Sequence, residues 1–226
     1  KTGFCAHMDD VSRVVRRTGA TQYVEEGVRK VRSDGKSCLG ADDKAGMSVL
    51  LYMIEQKVPG VYHLFVEEES GMIGSQAAAE RGWGKGLNFM VAFDRRGTSD
   101  IITHQCGERT CSDAFAAAFA EHARNHGLDL KGDPGGSFTD SYAFASVVHE
   151  CTNIAIGYMM PHGNGETQNL DHLDAVAQAS ASFPWKDFAP VREASSVPTR
   201  DEKRAYRSYT SYAPDDMDDE IYGYGR

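Results

Sequence analysis

The sequence predicts an α/β protein, a three-layer α/β/α sandwich built on a largely parallel central sheet. Two observations carry that expectation. Apolar, β-rich runs alternate with segments of helical spacing along most of the chain, the order that builds parallel sheets through helical crossovers. Histidines and carboxylates fall just after the strand-like runs, at the sheet end where open α/β folds gather their ligands.

The elements follow in order. Residues 3–6 close a short buried strand that runs into His7. The stretch 23–38 alternates in the β manner and is broken by Ser33-Asp34-Gly35-Lys36, a hairpin-type turn. Ala45, Val49, Leu50, Met53 and Ile54 recur at helical spacing over 43–57, and Pro59-Gly60 stops that helix. A strand over 61–66 leads into Glu67-Glu68-Glu69, and Ser75 reads as the cap of a helix reaching Arg81. A strand over 87–93 ends before Asp94. The Ala-rich stretch 112–126 is helical, with Phe115 and Phe119 one turn apart and Gly127 as its stop. A helix over 140–149, a strand over 152–158 and a last helix over 170–182 complete the series. Residues 132–137 read as a flexible loop.

Composition narrows the function classes. The 226 residues are 41% hydrophobic and 25% charged, a globular balance that excludes collagen-like and broadly disordered chains. No apolar run approaches the roughly 18 residues of a membrane span, so no membrane partner is expected. The 33 acidic residues exceed the 24 basic ones, for a net charge of -9, which argues against a nucleic-acid partner. An odd count of five cysteines points to free thiols, Cys106 and Cys111 included, and to a reducing, cytoplasmic location. A catalytic body is expected over 1–183. A Pro-, Tyr- and acid-rich tail, surface-hugging or unstructured, is expected over 184–226.

Five places then draw the chemistry together: His7-Met8-Asp9, Asp42-Asp43 at a helix start, Glu67-Glu68-Glu69, Asp94, and His162 within Pro161-His162-Gly163-Asn164-Gly165-Glu166. Each alone has an ordinary reading as a surface hydrogen bond, a helix cap or a solvated loop. Four strand ends and one helix start delivering a His or carboxylate to the same side is harder to obtain by chance. Asp9, two residues beyond His7, is placed to hold its imidazole. His104, His122, His126 and His149 lie outside these motifs and read as surface or helix-end residues. Glu166 either supports His162 or faces solvent.

The set resembles the co-catalytic zinc exopeptidases, the clan of leucyl-type bacterial aminopeptidases, peptidase T and carboxypeptidase G-like enzymes. Resemblance runs through His7-Met8-Asp9, the stretch from Gly40-Ala41-Asp42 to Gly46, Glu68-Glu69 with Gly71, Gly74 and Ser75, then Asp94 and His162, in matching order over residues 1 to about 180. It implies two Zn²⁺, with Co²⁺ or Mn²⁺ as substitutes. Asp42 would bridge them, His7 and Asp94 would complete one site, and Glu69 and His162 the other. Glu68 would be the general base and Asp9 the partner of His7. A cis peptide often follows the bridging Asp in this clan. The implied activity is an aminopeptidase acting on small peptides. A lidless carboxypeptidase or N-acyl-amino-acid deacylase is the alternative, and a non-catalytic binding protein is a weaker third, since all five ligands are present.

The chemistry is coherent on its own terms. Zinc takes imidazole and carboxylate ligands, and two ions roughly 3.5–4 Å apart can activate water and polarise a carbonyl. Asp9, Asp42, Glu68, Glu69 and Asp94 concentrate negative charge that cations offset. Carboxypeptidase-like relatives insert a lid domain after the Asp94 position. Here 46 positions separate Asp94 from Asp140, which leaves a single-domain plan. Thr139-Asp140 falls near the clan's substrate pocket. Only six residues precede His7, where relatives carry several elements, so upstream elements are expected to be lost or outside this sequence.

Overall fold

The computed structural model describes residues 1–11 and 19–194. The first half of the chain supplies β1 (Thr2–His7), β2 (Ala20–Glu25), β3 (Val28–Ser33), α1 (Ala41–Glu55), β4 (Val61–Phe65), α2 (Ile73–Glu80) and β5 (Phe89–Arg95). Then come β6 (Asp100–Ile102), β7 (His104–Gln105), β8 (Glu108–Arg109), α3 (Asp113–Arg124) and β9 (Lys131–Asp133). A 3₁₀ turn (Asp140–Phe144), β10 (Glu150–Ala155), β11 (Tyr158–Met159), β12 (Thr167–Asn169) and α4 (Leu170–Ser182) follow.

Six strands form the central sheet in the order β4-β1-β5-β10-β6-β9, parallel throughout except where β10 meets β6. The expected largely parallel sheet is what forms. Every residue of β1 is buried, as a strand covered on both faces requires. Phe4, Val91, Phe93 and Ile154 pack on one face with Val49, Leu50 and Met53 of α1, Phe115 and Phe119 of α3, and Val176 of α4. Cys5, Met90, Ala92 and Cys151 pack on the other with Ala78 of α2 and with Tyr142, Phe144 and Val148. These are the three layers. Gly46 is what lets α1 lie this close: a Cβ there would collide with the Phe93 carbonyl and the Asp43 carboxylate.

Several local expectations shift. The β2–β3 hairpin turns at Glu26-Gly27, both at positive φ, a two-residue turn upstream of the expected one. Residues 33–36 instead form a side-chain-pinned bend, in which Ser33 Oγ accepts the Gly35 amide and Asp34 Oδ1 the Lys36 amide. The helix expected over 140–149 stops as a 3₁₀ turn at Phe144, because the buried Arg192 guanidinium takes the carbonyls of Ala145, Val148 and His149. Gly157 at φ 95° divides the expected strand 152–158 into β10 and β11. Helix α2 is capped by Met72 rather than Ser75, and the expected loop 132–137 contains most of β9.

The packed body reaches past the expected division at residue 183. Trp185 is buried against Phe4, Phe119 and Phe183, and its indole donates to the Ser180 carbonyl at 2.8 Å. Glu150 accepts the Val191 and Arg192 amides at 2.8 and 3.1 Å. The rest of the expected tail, 195–226, lies outside the described residues. Among those described, no helix is long and apolar enough to cross a membrane, and none of the five cysteines is joined in a disulfide.

Candidate metal centre

Neighbouring parallel strands β4, β1 and β5 end at one crevice, and their registers bring the motifs level. His7 pairs with Phe65, just before Glu67-Glu68-Glu69. Cys5 pairs with Ala92, so Asp94 stands beside His7 two residues further on. The start of α1 adds Asp42, and the loop between β11 and β12 adds His162. That loop is tied back by the Ser33 hydroxyl, which donates to the Asn164 carbonyl at 3.2 Å. His162 sits at φ 66°, a left-handed conformation that is uncommon away from glycine and tends to collect at functional sites.

Asp42 lies between the two imidazoles. Its Oδ1 is 3.0 Å from His7 Nε2 and its Oδ2 is 3.2 Å from His162 Nε2. Asp94 Oδ1 approaches His7 Nε2 at 3.6 Å. Glu69 Oε1 approaches His162 Nε2 at 2.9 Å, yet this buried oxygen has no hydrogen-bond geometry to any partner. His7 Nδ1 faces the Asp9 carbonyl at 3.0 Å. A carbonyl only accepts, so Nδ1 carries a proton, and Nε2 faces the two carboxylates. The His7–Asp42 contact is a hydrogen bond, whereas the Glu69 oxygen beside His162 has no such partner. Imidazole and carboxylate are donor types that zinc accepts, and two groups bring such atoms close enough to hold an ion: His7 with Asp43 and Asp94, and His7 with Asp42 and Glu69.

The electrostatics have the same origin. Burial pulls the His7 imidazole down, but Asp42 and Asp94 outweigh it and raise it far above its usual value. Asp42, and then Glu69, raise His162 to about 10. Burial pushes Asp42 up, while His162 and His7 hold it well below the carboxylate range. Burial, then the charge of Asp94, pushes Glu68 up to about 9. Burial likewise lifts Asp140 to about 7 against the pull of the Ser75 hydroxyl.

Two of the residues read from sequence act differently in detail. The Asp9 carboxylate is 3.7 Å from His7 Nδ1, and the backbone carbonyl takes the hydrogen bond, because β1 ends at His7 and the chain bends away. That carboxylate instead accepts the amides of Glu68 and Glu69, each at 3.2 Å. Glu166 neither supports His162 nor faces solvent. It is buried and accepts the Gly40 and Asp42 amides at 2.7 and 3.0 Å, fixing the start of α1. Within the acidic pair, Asp43 lies within reach of His7 and Asp94 as a candidate ligand. Its oxygens, however, are taken by the His7 amide at 3.1 Å and the Gly46 amide at 3.0 Å. The Asp42–Asp43 peptide is cis.

Sequence reasoning missed the residues that hold Asp94. Thr139 Oγ1 donates to its Oδ2 at 2.6 Å and the Tyr158 hydroxyl to its Oδ1 at 3.1 Å. The Asn153 side chain brackets its backbone, accepting from the amide at 2.8 Å and donating to the carbonyl at 2.7 Å. Of these only Thr139 carried a signal, through the Thr139-Asp140 pair.

The same architecture occurs in solved peptidase structures. The aminopeptidase PepT from Bacillus cereus superposes with a TM-score of 0.63 at 16% identity, covering 80% of this chain and 79% of that one. A tripeptidase from Staphylococcus aureus gives 0.62 at 15% identity with the same coverage. The Pyrococcus horikoshii TET1 peptidase gives 0.54 at 19%, covering 72% of this chain and 52% of that one. The chain has the fold of these peptidases. At the level of fold, the resemblance to the exopeptidase clan holds. A curated relative, the uncharacterized Bacillus subtilis protein YqjE, is 40% identical over a stretch covering 33% of this chain, which spans only 20% of its length. No family model matches the sequence.

Proposed function

We propose that this protein is a di-zinc aminopeptidase that releases N-terminal residues from small peptides. The observation that carries this reading is the Asp42 carboxylate, which offers one oxygen to His7 and the other to His162. The peptidase fold supports the same class.

Two Zn²⁺ would be held by His7, Asp94 and Asp42 and by His162, Glu69 and Asp42, and when bound they would acidify water and polarise the scissile carbonyl. Glu68 is the general base: it takes the proton from the attacking water and returns it to the leaving amine. Burial keeps it basic, and bound cations nearby would lower it toward neutrality, where base catalysis is efficient. Asp9 anchors the turn that carries Glu68 and Glu69. Thr139 and Tyr158 orient Asp94, and Glu166 orients the backbone of Asp42.

Assays on one zinc-loaded preparation test the activity, comparing tripeptides and amino-acid anilides with N-acylated amino acids. Turnover of free-amine substrates supports the aminopeptidase reading. Turnover confined to N-acylated amino acids assigns the deacylase or carboxypeptidase alternative, and none on either set contradicts hydrolysis of this class.

A further inference from the structure

Away from the crevice, His122 in the last turn of α3 and His126 in the turn that follows it face the end of α4. Their Nε2 atoms lie 2.9 and 3.0 Å from a single oxygen, the Ser182 hydroxyl. That hydroxyl gives its own proton to the Gln178 carbonyl at 2.9 Å, so its lone pairs face the two rings. The ring centroids are 5.4 Å apart. Phe183 braces His122 edge-on, with centroids 5.4 Å apart and planes at 80°. A cavity of about 300 Å³ opens beside His122, and its walls include Glu121 and Asp187.

We propose that His122 and His126 form a binding site for a divalent transition-metal ion of the Zn²⁺, Ni²⁺ or Cu²⁺ type, separate from the crevice at the strand ends. Both rings donate from Nε2 to one hydroxyl oxygen, and once each proton moves to the other ring nitrogen, two nitrogens and an oxygen lie within reach of one ion. That is the donor set these borderline metals prefer, whereas Mg²⁺ and Ca²⁺ require oxygen cages. A metal about 2.0–2.1 Å from each imidazole nitrogen occupies the space in front of the Ser182 oxygen, and water or a carboxylate from the cavity wall completes its coordination. Burial, and then the proximity of His126, lowers the His122 pKa, which keeps its ring neutral and able to bind a metal near pH 7. An ion here ties α3 to the end of α4, where the chain enters the aromatic cluster of Phe183 and Trp185. Metal binding to the folded form alone then stabilises it.

Equilibrium dialysis of the full chain against Zn²⁺, with elemental analysis, tests the site. The wild type is expected to hold one equivalent more than His122→Gln and one more than His126→Gln at the same free zinc. The metal-free melting temperature and the hydrolytic rate should be unchanged in both variants. With Cu²⁺, the paramagnetic resonance of the wild type is expected to include a two-nitrogen signal that either variant lacks. Equal metal content in all three proteins, or a copper spectrum unaltered by the substitutions, overturns the proposal.

Discussion

The carboxylate of Asp9 accepts the backbone amide of Glu68 at 3.2 Å, so a residue two positions beyond the first strand fixes the turn carrying the proposed general base. Removing it leaves the Glu68 and Glu69 amides without that acceptor. Asp9→Ala is expected to lower kcat or metal affinity by about 10–100-fold, the usual cost of losing a group that orients ligands. Steady-state kinetics with parallel metal analysis check this, and wild-type values for both would show that the hydrogen bond has no functional weight.

Glu68 tests the division of labour between ligands and base. Glu68→Gln keeps the size and removes the basic oxygen, so turnover should fall by about 10²–10⁴-fold while bound zinc stays at the wild-type level. Loss of metal together with activity would reassign Glu68 as a ligand.

The pH dependence follows from the raised imidazoles. In the metal-free protein His162 keeps its proton up to about pH 10, whereas its ordinary value is 6.5, and His7 shifts in the same direction. Both ion pairs thus favour the metal-free fold fully below about pH 6.5. That contribution is lost as the pH rises through the folded values. Metal must displace these protons, so affinity is expected to rise with pH across the neutral range, with proton release on binding. Calorimetry in two buffers of different ionisation enthalpy measures the release, and binding without it would mean that the imidazoles are not ligands.

Trp185 tests where the body ends. It is buried in the aromatic cluster beyond α4, and Trp185→Ala should cost about 3–5 kcal/mol of stability. Denaturant unfolding provides the measurement. A loss below about 0.5 kcal/mol, the range of an ordinary surface change, would place the segment outside the core.

Much of this arrangement was legible in the chain because its signals are local. Strand ends announce His7 and Asp94, and the glycines after Glu68 and Glu69 set their register. That Asp43 accepts the His7 and Gly46 amides was not readable from the acidic pair itself, because one partner lies 36 positions upstream. The role of Glu166 was hidden because its partners, Gly40 and Asp42, lie more than a hundred residues upstream. Arg192 likewise ends a helix that local propensity favours, from 43 to 47 residues away. The hairpin turn was misplaced because Glu26-Gly27 lacks the Asn or Asp that usually marks a two-residue turn.

X-ray absorption at the zinc edge of the loaded protein tests the paired centre most directly. A zinc–zinc vector of about 3.5–4 Å, with only nitrogen and oxygen ligands and lost in Asp42→Ala, is the expected result. Isolated zinc with no second metal in that range would contradict a carboxylate-bridged pair.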